Sequence, residues 1–112
     1  MSGITTHILD VSLGKPAAGV AVKLDRQTGN GDWETIGIQR TDDDGRARDL
    51  IGEPLAAGVH RLTFEVEPYF RNNKVDSFYQ EITIAFVVHD ASQHYHVPLL
   101  LSPFGYSTYR GS

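Results

Sequence analysis

Apolar and polar residues alternate along this chain with a period of two, in short runs cut by turn signals. The clearest run covers 59–66, where His60, Leu62, Phe64 and Val66 share one face and Arg61, Thr63 and Glu65 share the other. That period predicts a half-buried strand. Runs rich in Val, Ile, Thr, Phe and Tyr predict further strands over 4–12, 20–27, 33–41, 46–50, 80–88 and 94–101, with a short one over 106–109. Between them stand Gly14-Lys15-Pro16, Asp42-Asp43-Asp44-Gly45, Gly52-Glu53-Pro54 and Ala57-Gly58, all turn formers. The segment Thr28-Gly29-Asn30-Gly31-Asp32 should close a hairpin between the second and third strands. Pro68 to Asn73 predicts one short helix, because proline suits a first helical turn. Seven or eight short strands in 112 residues predict an all-β, two-sheet sandwich in one domain spanning 1–112.

Composition narrows the function classes. Ten Lys and Arg against fourteen Asp and Glu leave a net charge of −4, which argues against a nucleic-acid partner. Cysteine is absent, which removes disulfides, Cys-based zinc sites and thiol nucleophiles. The longest apolar run, Ile84 to Val88, is far short of the roughly 20 residues a membrane span needs. The opening MSGITTHILD has neither a basic nor a long apolar stretch, so a cytoplasmic location is expected.

Four features carry candidate chemistry, each with a plainer alternative. His7 sits mid-strand, where a neutral imidazole can also lie on a sheet at little cost. His94 and His96 share one strand face, a geometry for a metal or for a base with a helper, and equally for a solvated strand end. Asp42-Asp43-Asp44-Gly45-Arg46 resembles a calcium loop, but its glycine comes too early and no bidentate Glu follows, so a β-turn is favoured. The tail Ser107 to Ser112 holds Tyr109 and Arg110, more docking chemistry than a fraying terminus needs. No G-x-S-x-G elbow, Walker loop or dinucleotide fingerprint is present.

Four ordered segments resemble the transthyretin-related 5-hydroxyisourate hydrolases. They are Thr6-His7-Ile8-Leu9-Asp10, Thr41 through Arg46, His94 through Pro103, and the terminal Tyr109-Arg110-Gly111-Ser112. The last distinguishes the hydrolases from the hormone-binding transthyretins. The chain departs from many relatives at Gln80, where proline is common, far from these motifs. The resemblance implies a transthyretin-like sandwich of two four-stranded sheets with one short helix. It also implies a homotetramer with active sites at the dimer–dimer interface. The implied activity converts 5-hydroxyisourate to 2-oxo-4-hydroxy-4-carboxy-5-ureidoimidazoline by water attack on a ring amide, in urate degradation. His7, Arg46, His96 and Ser112 are the implied catalytic residues, and His7, Arg46, Tyr109, Arg110 and Gly111 would bind substrate. His94 falls outside the motif, and no metal or cofactor is implied. Two alternatives stand beside this one. One is a carrier that binds a small ligand without catalysis. The other is a zinc hydrolase using His94, His96 and a third ligand such as His7, with His89 nearby.

Overall fold

A computed structural model describes residues 3–51 and 54–111 of the chain. Nine strands and one helix form two sheets face to face among the described residues. Strand β1 (Gly3–Asp10) lies inside the first sheet, whose order is β2-β1-β8-β9 with β5 also paired to β1. Here β2 is Lys15–Pro16, β5 is Arg46–Ala47, β8 is His94–Ser102 and β9 is Gly105–Thr108. The second sheet runs β4-β3-β6-β7, from Trp33–Arg40, Ala21–Gln27, Gly58–Glu65 and Ile82–Val88 respectively. The fold class is therefore the all-β sandwich that the alternation predicts. Seven strands are of ordinary length, and β2 and β5 are two-residue pieces.

The inner faces close on one core. Ile4 and Ile8 from β1, Leu99 and Leu101 from β8, and Val22, Leu24, Leu62, Phe64 and Ile82 from the second sheet are all buried. Strand β1 shows the consequence most cleanly: Ile4, Thr6, Ile8 and Asp10 point inward, and Gly3, Thr5, His7 and Leu9 point outward. The hairpin between β3 and β4 forms where expected, with Thr28 N–H bonded to the Asp32 carbonyl at 2.8 Å and Gly31 at φ +89°.

Most boundaries shift by a residue or two from the sequence expectation, and three of the shifts have a clear physical reason. Val66 starts helix α1 (Val66–Asn72) instead of ending β6, which lets Val66 and Phe70, one turn apart, both enter the core. Gln80 stays outside β7 because its carbonyl accepts the N–H of Glu67 in the first turn of that helix. The strand expected over 46–50 stops at Ala47, because the chain leaves β1 and crosses to the second sheet. There Leu50 lies so close to Gly37 that a Cβ on that glycine would sit 1.4 Å from the Leu50 carbonyl oxygen. Strand β4 itself is bulged at the same place: Leu24 pairs with Gly37 and Asp25 with Thr35, which leaves Ile36 as the extra residue. No described helix is long and apolar enough to cross a membrane.

Candidate active site

The outward face of the first sheet gathers most of the candidate chemistry. Strand β8 runs parallel to β1, so Thr5 pairs with His96 and Gly3 with His94. Strand β5 runs antiparallel on the other side and places Arg46 opposite His7. Because side chains repeat every second residue, Thr5, His7, His94 and His96 all project to one side.

Arg46 owes its position to the turn before it. The Asp42 carboxylate accepts the N–H groups of Asp44 and Arg46, both at 2.9 Å, and the Gly45 N–H bonds the Asp42 carbonyl at 2.9 Å. The Arg46 N–H above all, with the Asp44 N–H and the Arg48 and Arg46 charges, holds the Asp42 carboxyl below its ordinary pKa, against the opposing effect of burial. Gly45 is at φ +75°, and a Cβ there would meet the Ile8 carbonyl oxygen at 2.5 Å. The acidic run is thus a turn that closes on its own backbone, as its spacing predicts.

Arg46, Arg48, Asp49, Ile51, His94, His96 and the Gly3–Thr6 stretch of β1 line a cavity of about 640 Å³. That is the size of a small-molecule site. Within it Thr5 Oγ1 lies 2.8 Å from His96 Nδ1 and 3.0 Å from His94 Nε2. On the other side of the His96 ring sits Gly111, whose N–H bonds the His96 carbonyl at 2.7 Å. A Cβ on Gly111 would come within 2.6 Å of His96 Cδ2, so only glycine lets the tail lie against this ring. With Nδ1 turned to Thr5 and Cδ2 covered by Gly111, the Nε2 end of the ring points away from the sheet. Burial lowers the pKa of His96 below 6.5, and the charges of Arg46, His7 and His94 lower it further. It is therefore neutral at pH 7, with a ring nitrogen able to accept a proton.

Not every expected residue meets this cavity. His7 stands opposite Arg46 on the same face but does not line it. Tyr109 and Arg110 line a separate, apolar cavity of about 300 Å³ with Ile84, Phe86, Tyr95 and Val97. There the Arg110 guanidinium lies 4.3 Å from the Tyr95 ring centre and bonds Gln93 Oε1 and the His94 carbonyl. Within one chain only Gly111 of the described tail reaches His96; Ser112 lies outside the described residues. The zinc alternative needs three converging ligands, and no such group of His, Asp or Glu exists among the described residues. His94 is no detached strand end, since its ring lines the cavity and meets Thr5. Sequence reasoning missed Thr5 altogether. Its period-two spacing from His7 was legible, but only the parallel register of β1 and β8 sets it beside His96.

A family model described as HIUase/Transthyretin matches residues 4–111. The chain belongs to the HIUase/Transthyretin family. A 5-hydroxyisourate hydrolase of Caulobacter vibrioides is 49% identical, with all of both chains covered. The solved 5-hydroxyisourate hydrolase of Klebsiella pneumoniae is 40% identical and superposes with a TM-score of 0.87, covering 99% of this chain and 100% of that one. The transthyretin of Sparus aurata superposes with a TM-score of 0.93 at 34% identity, covering 99% and 97%. Both branches of the HIUase/Transthyretin family thus share this backbone, the transthyretin even slightly more closely. Shape alone does not separate catalysis from carriage here; the side chains in the cavity must.

Proposed function

We propose that this chain is a 5-hydroxyisourate hydrolase of urate degradation, opening the six-membered ring by adding water to a ring amide. The observation that carries the reading is the convergence of Arg46 and His96 on one cavity of substrate size, where burial favours the neutral imidazole. The substrate is a planar ring dense in carbonyl and N–H groups, and a guanidinium offers a rigid fork of donors for such oxygens. Water attacks the amide carbonyl carbon while a histidine takes its proton. Arg46 stabilises the negative charge that develops on the carbonyl oxygen. The C–N bond then breaks, a proton goes to the leaving nitrogen, and the new carboxyl group ionises. His7 and His96 share the proton transfers, each such role being worth about 10²–10⁴-fold. No metal or cofactor enters this scheme.

The chain acts as one transthyretin-like domain within a cytoplasmic homotetramer of about 50 kDa, four copies of 12.4 kDa under closed two-fold symmetry. Strands β7 and β9 end their sheets with unpaired backbone edges, and pairing them with another copy removes that liability. Sites at the dimer–dimer interface would let Tyr109, Arg110 and Ser112 of the tail complete what Arg46, His7 and His96 begin. A carrier of apolar ligands fits less well, because two arginines, two histidines and an aspartate line the cavity. The test is the decay of freshly generated 5-hydroxyisourate, followed by absorbance. Faster decay with protein than without is expected, and equal decay with folded protein overturns the reading.

A further inference from the structure

We propose that Thr5 is a positioning residue, whose hydroxyl, shared between His94 and His96, holds His96 as the Nδ1–H tautomer with Nε2 free to take the proton of the attacking water. The role deepens the hydrolase reading and rests on it for its chemistry, but not for its geometry.

A threonine hydroxyl has one hydrogen to donate and lone pairs to accept. Thr5 Oγ1 is within hydrogen-bond distance of two ring nitrogens, 2.8 Å from His96 Nδ1 and 3.0 Å from His94 Nε2. Both contacts are satisfied whenever at least one of the two nitrogens carries a hydrogen. Three arrangements remain. In one, His96 Nδ1–H donates to Thr5 and Thr5 donates to His94 Nε2. In a second, every bond is reversed, and His96 presents Nε2–H to the cavity. In a third, both rings donate to the two lone pairs of Oγ1, and His96 again leaves Nε2 bare.

The surroundings favour a bare His96 Nε2, which the first and third share. His96 lines the same cavity as Arg46 and Arg48, with Asp49 the only acidic side chain among its described lining residues. A cationic wall attracts a lone pair and repels an N–H dipole. His7, across from Arg46, adds no carboxylate to reverse this preference. His94 is exposed, so its own hydrogen can sit on Nδ1 and be solvated. A neutral histidine fixed in this tautomer is a base with its lone pair already aimed, so no proton has to be rearranged before the water is attacked.

The test uses the full-length protein with ¹⁵N-labelled histidine at about pH 8, where an ordinary imidazole is neutral. In the wild type, His96 should show a protonated Nδ1 and a bare Nε2. Thr5→Val, similar in shape but without the hydroxyl, should abolish that pattern, and Thr5→Ser should restore it. The kcat for 5-hydroxyisourate should fall about tenfold in Thr5→Val with KM within about twofold, and recover in Thr5→Ser. His94→Ala removes one of the two ring partners of the Thr5 hydroxyl and should lower kcat by about threefold. A wild-type His96 protonated on Nε2, or an identical ring spectrum in Thr5→Val, overturns the proposal. Ring spectra need no turnover. A protein that fails to hydrolyse the substrate therefore defeats the hydrolase reading, while the spectra still decide the bridge.

Discussion

Two arginines on opposite sheets show how differently the same side chain is used. Arg61 on β6 donates through Nε to Asp25 at 2.8 Å and lays its guanidinium 4.1 Å from the Trp33 ring centre. Asp25 is 1% exposed, and its other oxygen accepts the Thr35 hydroxyl at 2.8 Å. Burial alone would raise the Asp25 pKa, but the Arg61 and Thr35 hydrogen bonds and the Lys23 and Arg61 charges hold it below its ordinary value. Arg46 is the opposite case. Its backbone is pinned by Asp42, yet among the described residues no acidic side chain pairs with its guanidinium. A polar cluster that satisfies itself stabilises the fold. One that leaves donors aimed into a cavity keeps them for a ligand.

Breaking each cluster in turn should give opposite signatures. Arg46→Ala is expected to lower kcat/KM by about 10³-fold while shifting stability by less than about 0.5 kcal/mol. His96→Ala and His7→Ala should each cost about 10²-fold or more with similarly small effects on folding. Arg61→Ala should do the reverse, leaving activity within a few-fold but costing about 2–3 kcal/mol, since it strands a buried carboxylate. Initial rates and urea denaturation of the same preparations check both halves. Equal loss of activity in Arg46→Ala and Arg61→Ala would erase the distinction.

The tail provides the next largest effect. A chain ending at Thr108 loses Arg110 from the Tyr95 face and Gly111 from the His96 ring, but no residue of the buried core. Activity should fall at least about tenfold while the molecular mass of the assembly, by light scattering, remains that of a tetramer. Full activity in this truncation would remove the tail from the site.

Glycine substitutions sharpen the contrast on a smaller scale. Gly37→Ala must push Leu50 away and with it the wall carrying Arg48 and Asp49, at a cost of about 2 kcal/mol and a matching loss of activity. Gly29→Ala meets nothing within 4 Å and should be neutral by both measures.

The smallest effect is in the pH dependence of stability. His60 is fully buried against Phe86, its Nδ1–H donating to the Gly58 carbonyl at 3.0 Å and its Nε2 without a hydrogen-bond partner among the described residues. Burial lowers its pKa below 6.5; the Gly58 bond opposes this and the Arg26 charge reinforces it. The unfolded chain therefore binds the proton first. Stability is complete above about pH 6.5 and falls as pH drops below it, by up to about 1.4 kcal/mol per unit for each such histidine. His96, also lowered, adds to the same window. Asp25 has the depressed carboxylate's sign, so its contribution survives until pH falls below about 4. Denaturation midpoints between pH 7 and 5 should decline less in His60→Phe than in the wild type. An equal decline would acquit His60.

Much of this molecule was legible from the chain because strand periodicity is local. The alternation of Ile4, Thr6 and Ile8 with Thr5 and His7 already assigns inner and outer faces, since successive side chains must point to opposite sides. Turn chemistry is equally local: Asp42 and Gly45 place Arg46 at the head of a strand whatever lies across from it. The motifs around His7, Arg46 and His96 named the family for the same reason, as short segments read in order. Register between distant strands is another matter. Nothing in Thr5 or in His94 announces that 89 residues of sequence separation close to a 3.0 Å contact. That follows from the parallel pairing of β1 with β8, which depends on how the whole core packs. The end of β5 at Ala47 and the separation of Tyr109 from Arg46 are decided the same way, by where the backbone finds room beside Gly37, Gly111 and the Tyr95 ring. Local pattern sets which way a side chain faces, and only tertiary packing decides what it meets.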